Sequence, residues 1–167
     1  MEWVIDGNNL LGQIPGSSRN DPAHRRELAS MLSGFCRVRR CTATLYFDGA
    51  PLDGWRGTTI LGPVRVLHSG GRRSADDAIL SMIAARRSQG SLRVVTSDRS
   101  LSDRCRHLGA ATATVREFRA ALSEAAIRAE RGAEKPERVD PAEVAWYMEL
   151  FGADDSPGPP SDPKSER

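Results

Sequence analysis

A chain of 167 residues, 39% of them hydrophobic and 28% charged, has apolar mass enough for one globular domain and a tail. No apolar run approaches a membrane span, and Met1 does not lead through a basic region into a long apolar segment, so a soluble, cytoplasmic protein without a membrane partner is expected. The net charge of +2 hides an asymmetry: residues 1–131 carry 20 arginines against 13 acidic residues, whereas residues 132–167 carry 4 basic and 9 acidic ones. A cationic body suits a polyanion; codon bias toward arginine gives the same composition, and charge alone does not choose between them.

Taken in order, the chain opens on Trp3, Val4 and Ile5, which read as a buried strand, and turns polar at once at Asp6, Gly7, Asn8 and Asn9. Asp21 with Pro22 behind it marks a helix start, and Leu28, Ala29, Leu32, Phe35 and Cys36 then recur at helical spacing. A second strand, 42–47, ends at Asp48. The glycine-rich stretch 49–62, which includes Trp55, reads as a loop, and 63–68 as a third strand. Ser74 opens a helix whose stripe is Ala75, Ala78, Ile79, Met82 and Ile83. A fourth strand, 92–96, leads to Asp98, and a short helix follows Ser100. The run 111–115 completes the strands, and a helix follows Thr114, with Glu117 placed to close a capping box. Residues 132–139 form a charged linker. Asp140-Pro141 begins an amphipathic helix with Val144, Tyr147, Met148 and Phe151 on one stripe, suited to packing on the domain, a second copy or a partner protein. Residues 153–167 have a disordered composition. Alternating strands and helices predict an α/β fold of three layers: a mostly parallel sheet with helices on both faces.

Cys36, Cys41 and Cys105 are an odd count without a C-x-x-C pair, which favours buried reduced thiols over a disulfide framework. His24, His68 and His107 lack ligand spacing and read as solvated or hydrogen-bonded imidazoles.

The carboxylates form a sharper pattern. In an open α/β sheet, functional groups gather at the carboxyl ends of the strands. Asp6, Asp48 and Asp98 each stand at such an end, and Asp76 and Asp77 lie in the first turn of the helix after the third strand. A turn-forming role accounts for any one of them alone. Together they imply a cation, because clustered carboxylates repel unless neutralised and hard oxygen ligands suit Mg²⁺ or Mn²⁺. Ser74-x-x-Asp77 and Ser100-x-x-Asp103 also match capping boxes. By helical projection Asp76 borders the apolar stripe and Asp77 lies nearly opposite it, so Asp76 is the better ligand candidate, and Asp103 faces away from Leu101, Cys105 and Leu108.

In this order and over roughly residues 1–120, VIDGNNLL, LYFDG, SADDAI and VVTSDRSLSDRCRHLGA resemble the YacP-like branch of the NYN domain family, PIN-like ribonucleases. The resemblance implies a Rossmann-like or PIN-like sheet and metal-dependent endonucleolytic hydrolysis of RNA. By motif it puts Asp6, Asn9, Asp76 and Asp98 in the catalytic set, with Asp77 as a further metal candidate; Asp48 is a candidate by its place at a strand end, and Asp103 is left open. A fourth family carboxylate often lies one helical turn beyond the last of these, where this chain has Ser102 with Asp103 beside it. One ion would activate water, and where a second is present, about 3.5–4 Å away, it would stabilise the leaving oxygen. Arg72, Arg73, Arg99, Arg104 and Arg106 flank the cluster and are equally well read as phosphate contacts or as solvated surface residues. Trp55 either stacks on a base or caps the core edge. No phosphate-binding glycine loop of either common kind is present, and the lysine a phosphoacceptor receiver needs is missing before Lys135. The remaining rival is a module of the same fold that binds RNA or a ribosomal partner without cutting.

Overall fold

The computed structural model describes residues 1–51, 55, 58–71, 73–88 and 90–132. Six strands are described: β1 (Glu2–Asp6), β2 (Thr42–Phe47), β3 (Thr59–Leu61), β4 (Val64–His68), β5 (Leu92–Val95) and β6 (Ala111–Ala113). They lie in the order β3-β4-β2-β1-β5-β6. All pairings are parallel except β3 with β4. Central β1 lies between helices on both faces of the sheet, so Trp3, Val4 and Ile5 are all buried, which is why its sequence shows a continuous apolar run and not an alternation.

Five helices are described: α1 (Gly7–Leu11), α2 (Pro22–Arg39), α3 (Ala75–Ala84) and α4 (Arg99–His107) lie between strands, and α5 (Val115–Gly132) follows β6. On one face, Leu28, Leu32 and Phe35 of α2 meet Phe118 and Leu122 of α5 over Trp3 and Ile5. On the other, Ile79 and Ile83 of α3 meet Leu101 and Cys105 of α4 over Val4 and Val94. The expected three layers are therefore present. Capping fixes the helix starts: Asp21 accepts from the Ala23 amide, Ser74 from that of Asp77, and Thr114 and Glu117 close their box reciprocally.

Four expectations change. Thr59–Leu61, inside the expected loop, is an edge strand paired antiparallel to β4, turning back at Gly62 with φ +57°. Its three residues show neither alternation nor an apolar run, because Ile60 faces solvent. The polar stretch after Asp6 is a five-residue helix and not a bare turn. Helix α4 starts at Arg99 with Asp98 as its cap, so Ser100 lies inside the first turn and the Ser100–Asp103 box does not form. The last strand stops at Ala113 because Thr114 is already the cap of α5. All three cysteines are free and buried, as expected. No described helix is long and apolar enough to cross a membrane. The linker from 133 onward, the helix expected at 140–152 and the tail at 153–167 lie outside the described residues.

Candidate functional site

From β1 the chain steps outward through β2 to β4, then crosses back to place β5 and β6 on the other side of β1. Strand order thus reverses beside β1, and the crevice outside the carboxyl ends of β1 and β5 is the place where such a sheet binds ligands. Asp6 is the last residue of β1 and only 6% exposed. Its Oδ1 accepts from the Asn9 amide at 3.0 Å, so the same carboxylate ends the strand and caps α1. Gly7 between them is obligatory on steric grounds: a Cβ there would stand 2.5 Å from the Phe47 ring and 2.9 Å from the Tyr46 carbonyl oxygen.

The neighbouring segments are tied to this point by side chains. Asn8 Nδ2 donates to Asp48 Oδ2 at 2.7 Å, and Asp48 Oδ1 accepts from the Ala75 amide, joining α1, the end of β2 and the start of α3. Asn9 Oδ1 accepts from the Ser97 amide at 2.9 Å and from Gln13, joining α1 to the loop after β5. Asp98 Oδ1 caps α4 through the Leu101 amide. Asp76 is half-buried and accepts no hydrogen bond among the described residues, whereas Asp77 beside it is exposed.

These carboxylates act on one another. Burial pushes the Asp6 carboxyl from its ordinary 3.8 up to about 6; the Asn9 and Asn8 amides pull it down, while Asp76 and Asp48 push it further up. Asp76 is raised first by burial, then by Asp98, Asp48 and Asp77, with Arg104 partly offsetting them. Asp6, Asp48, Asp76, Asp77 and Asp98 therefore share one electrostatic neighbourhood. Asp103 is not among the main groups acting on Asp6 or Asp76; exposed on α4, it accepts from Arg106 at 3.1 Å. Ser102, at the position of the expected fourth carboxylate, is buried and donates to Thr112 of β6. Of the arginines, Arg104 is near enough to be felt by Asp76, Arg73 and Arg99 are exposed, and Arg72 lies outside the described residues.

The donor set fits a hard divalent cation. Besides the under-compensated carboxylates, Asn8 Oδ1 is buried with no hydrogen-bond partner among the described residues, an orphaned acceptor at the same edge. Among the described residues no three His, Cys, Asp or Glu side chains close into a ready cage. Mg²⁺, which keeps several of its waters and takes one or two carboxylates, suits such an open arrangement better than a fully protein-ligated ion does.

Several residues at this edge are not singled out by the sequence. Asn8 and Ser97 act through hydrogen bonds that no motif spacing shows. Arg25 had a signal: it falls one turn before Leu28 and Ala29, on the apolar stripe of α2. It is 6% exposed, lies 4.7 Å over the Phe47 ring, and reaches within 3.5 Å of the Asp48 carbonyl oxygen. His68 departs from expectation, since both ring nitrogens are buried without a hydrogen-bond partner among the described residues. It stacks on Phe47 and meets Trp55 edge-on, and burial beside Arg25 favours the neutral ring. Trp55 packs on the core edge.

A sheet of this order with an acidic crevice at its reversal point defines a PIN-like α/β domain. The profile of the YacP-like NYN domain matches residues 3–148, and the chain belongs to that family, a branch of the PIN-like nucleases. Among solved structures it is similar to Rae1 (YacP) from Bacillus subtilis: 20% identity, TM-score 0.68, with 91% of each chain covered. A tryptophan-to-leucine mutant of the same Bacillus protein gives 19% identity and a TM-score of 0.65, covering 90% of this chain and 91% of that one. These likenesses establish the fold. No protein of curated function matches the chain by sequence.

Proposed function

We propose that the protein is a metal-dependent endoribonuclease that hydrolyses RNA phosphodiester bonds with Mg²⁺ or Mn²⁺ in the crevice at Asp6. The observation that carries this reading is a buried carboxylate under-compensated by its surroundings, with Asp76 and Asp48 adding negative charge to it, at the point where strand order reverses. Natural folds keep such a destabilising cluster where function requires it. Membership in a nuclease family supports the same reading.

Asp6, Asp76 and Asp98 would hold the cation between them, one or two directly and the rest through its retained waters, with Asp77 close enough to join them and Asp48 serving mainly to fix Asn8 and the start of α3. When bound, the cation lowers the pKa of a water and stabilises charge on the leaving oxygen. Asn9 keeps the ends of β1 and β5 together through Ser97, and so acts as a positioning residue. Arg73, Arg99 and Arg104 are the cationic side chains placed to meet substrate phosphates. We assign the nuclease domain to residues 1–131 and a cytoplasmic setting. On the sequence pattern of 140–152 we assign that segment to contact with the domain, a second copy or a partner such as the ribosome.

Purified protein incubated with labelled single-stranded and structured RNA should cut in Mn²⁺ or Mg²⁺ and not in EDTA, and Asp76→Asn should abolish cutting. Persistent cleavage in EDTA by protein freed of contaminating nucleases would overturn the metal-dependent reading. Tight RNA binding without cleavage in any metal would favour the non-cutting module instead.

A further inference from the structure

A second feature lies outside the acidic crevice. Arg26, Ser30, Ser33 and Arg37 recur along one side of α2 and, with Trp55, Leu61 and Gly62, line a cleft of about 360 Å³. Between Arg26 and Arg37 the helix rises about 16 Å at 1.5 Å per residue, so the cleft is an elongated track and not a point site. Gly62 gives it depth: a Cβ at that residue would come within 3.2 Å of Ser33 Oγ and 3.4 Å of Arg37 Nη2. Arg26 and Arg37 are exposed, and neither forms an ion pair among the described residues, unlike Arg39, Arg86 and Arg106. Among the described residues, the cleft therefore carries two positive charges without an acidic partner.

Its position relates it to the crevice. Trp55 at its wall meets His68, His68 stacks on Phe47, and Phe47 immediately precedes Asp48. Arg25, the neighbour of Arg26, lies over that same Phe47 ring. The track thus begins two ring contacts from the acidic edge and runs down the flank of α2 toward the β3–β4 turn. Guanidinium groups at intervals and a half-exposed indole are the elements by which proteins hold single-stranded nucleic acid: charge for the backbone and a ring for a base. An acidic peptide would use the arginines but gain little from the indole.

We propose that this cleft is an accessory binding track for single-stranded RNA, holding nucleotides that flank the bond to be cut, with phosphates at Arg26 and Arg37 and a base against Trp55. The proposal rests on the ribonuclease reading for its substrate class, and the test separates the two. In EDTA, the full chain carrying Asp76→Asn is titrated with a fluorescent single-stranded RNA of about a dozen nucleotides at several salt concentrations. Adding Arg26→Glu and Arg37→Glu should weaken binding at least about tenfold and reduce the salt slope by about 1.4, or 0.7 per lost phosphate contact. Trp55→Ala should weaken it at least about fivefold and remove an RNA-induced quench of tryptophan fluorescence that the parent shows. With the carboxylates intact, the double arginine variant should still cut a trinucleotide at the parental rate in Mn²⁺.

Affinity, slope and quench unchanged in these variants would overturn the track while leaving nuclease activity standing. Loss of binding in the variants, together with a parent that never cuts, would support the track and sink the catalytic reading. Equal quenching and full displacement of RNA by polyglutamate would assign the cleft to an acidic protein and overturn the proposal. Circular dichroism verifies folding, and the Arg26→Gln/Arg37→Gln pair replaces the charge reversal where the latter unfolds.

Discussion

Replacing Asp6 by Asn makes the conflict between site and scaffold measurable. Asp6 is buried, and its carboxyl stands at about 6 instead of 3.8. At about 1.36 kcal/mol per unit, a shift of that size corresponds to roughly 3 kcal/mol by which the ionised carboxylate opposes folding. The folded pKa lies above the unfolded one, so between pH 4 and 6 the folded chain keeps a proton the unfolded chain has lost. The opposing energy is therefore absent below about pH 4, grows as pH rises through the window and is fully present above about pH 6. Asn removes the charge and keeps an oxygen to accept from the Asn9 amide. In EDTA at pH 8, Asp6→Asn should thus be more stable than the parent by roughly 2–3 kcal/mol, raising Tm by roughly 4–12 °C for a chain of this size. Near pH 4 the two should melt together. Saturating Mn²⁺ should close the gap at pH 8 by stabilising only the parent, about 2.7 kcal/mol at a hundred times Kd. Thermal melts followed by circular dichroism decide the matter. A variant that melts below the parent at pH 8, or a gap independent of pH, would refute the reasoning.

The other carboxylates and their supports lead to different outcomes. Asp98→Ala should cost about 1 kcal/mol in denaturant unfolding through loss of the α4 cap, whereas Asp98→Asn, which still caps, should be nearly neutral; both should lose RNA cleavage. Gly7→Ala should destabilise by about 1–3 kcal/mol, because the Tyr46 carbonyl that the new methyl meets is backbone in the central sheet and cannot swing aside. Asn9→Ala, which leaves the Ser97 amide without its acceptor, should cost about 1–2 kcal/mol and lower kcat more than it weakens RNA binding, as measured by single-turnover cleavage.

Where burial is periodic, the sequence was legible. The stripe Leu28, Ala29, Leu32, Phe35 and Cys36 is buried throughout, and Pro22 behind the Asp21 cap marked the start of α2. Strands buried on both faces showed as apolar runs, which gave a parallel sheet with covering helices and placed Asp6 and Asp98 at its carboxyl edge. Strand β3 was hidden because an edge strand of three residues needs no apolar pattern. The start of α4 was missed because Asp98 and Ser100 are both acceptable caps in sequence, and only the Leu101 amide, pointing back to Asp98, distinguishes them. Arg25 was legible in principle, as an arginine on an apolar stripe. The pairings of Asn8 with Asp48 and Asn9 with Ser97 were not, since they join residues 40 and 88 positions apart and depend on strand order.

Strand order also explains why scaffold and candidate site use the same atoms. Strands β1 and β5, whose carboxyl ends flank the crevice, each hand over to a helix almost at once, and a helix start needs an acceptor for its free amides. Asp6 and Asp98 supply that acceptor, and Asp48 supplies it for α3 from a neighbouring strand end. An Asn or Ser would cap equally well. A carboxylate in this role adds negative charge to an edge that already repels it, as the raised Asp6 and Asp76 carboxyls show. Capping accounts for an oxygen at these positions and leaves the charge unexplained, and Asp76, which caps nothing, adds charge alone. The excess charge, more than the presence of polar residues at strand ends, is what argues for a cation at this edge.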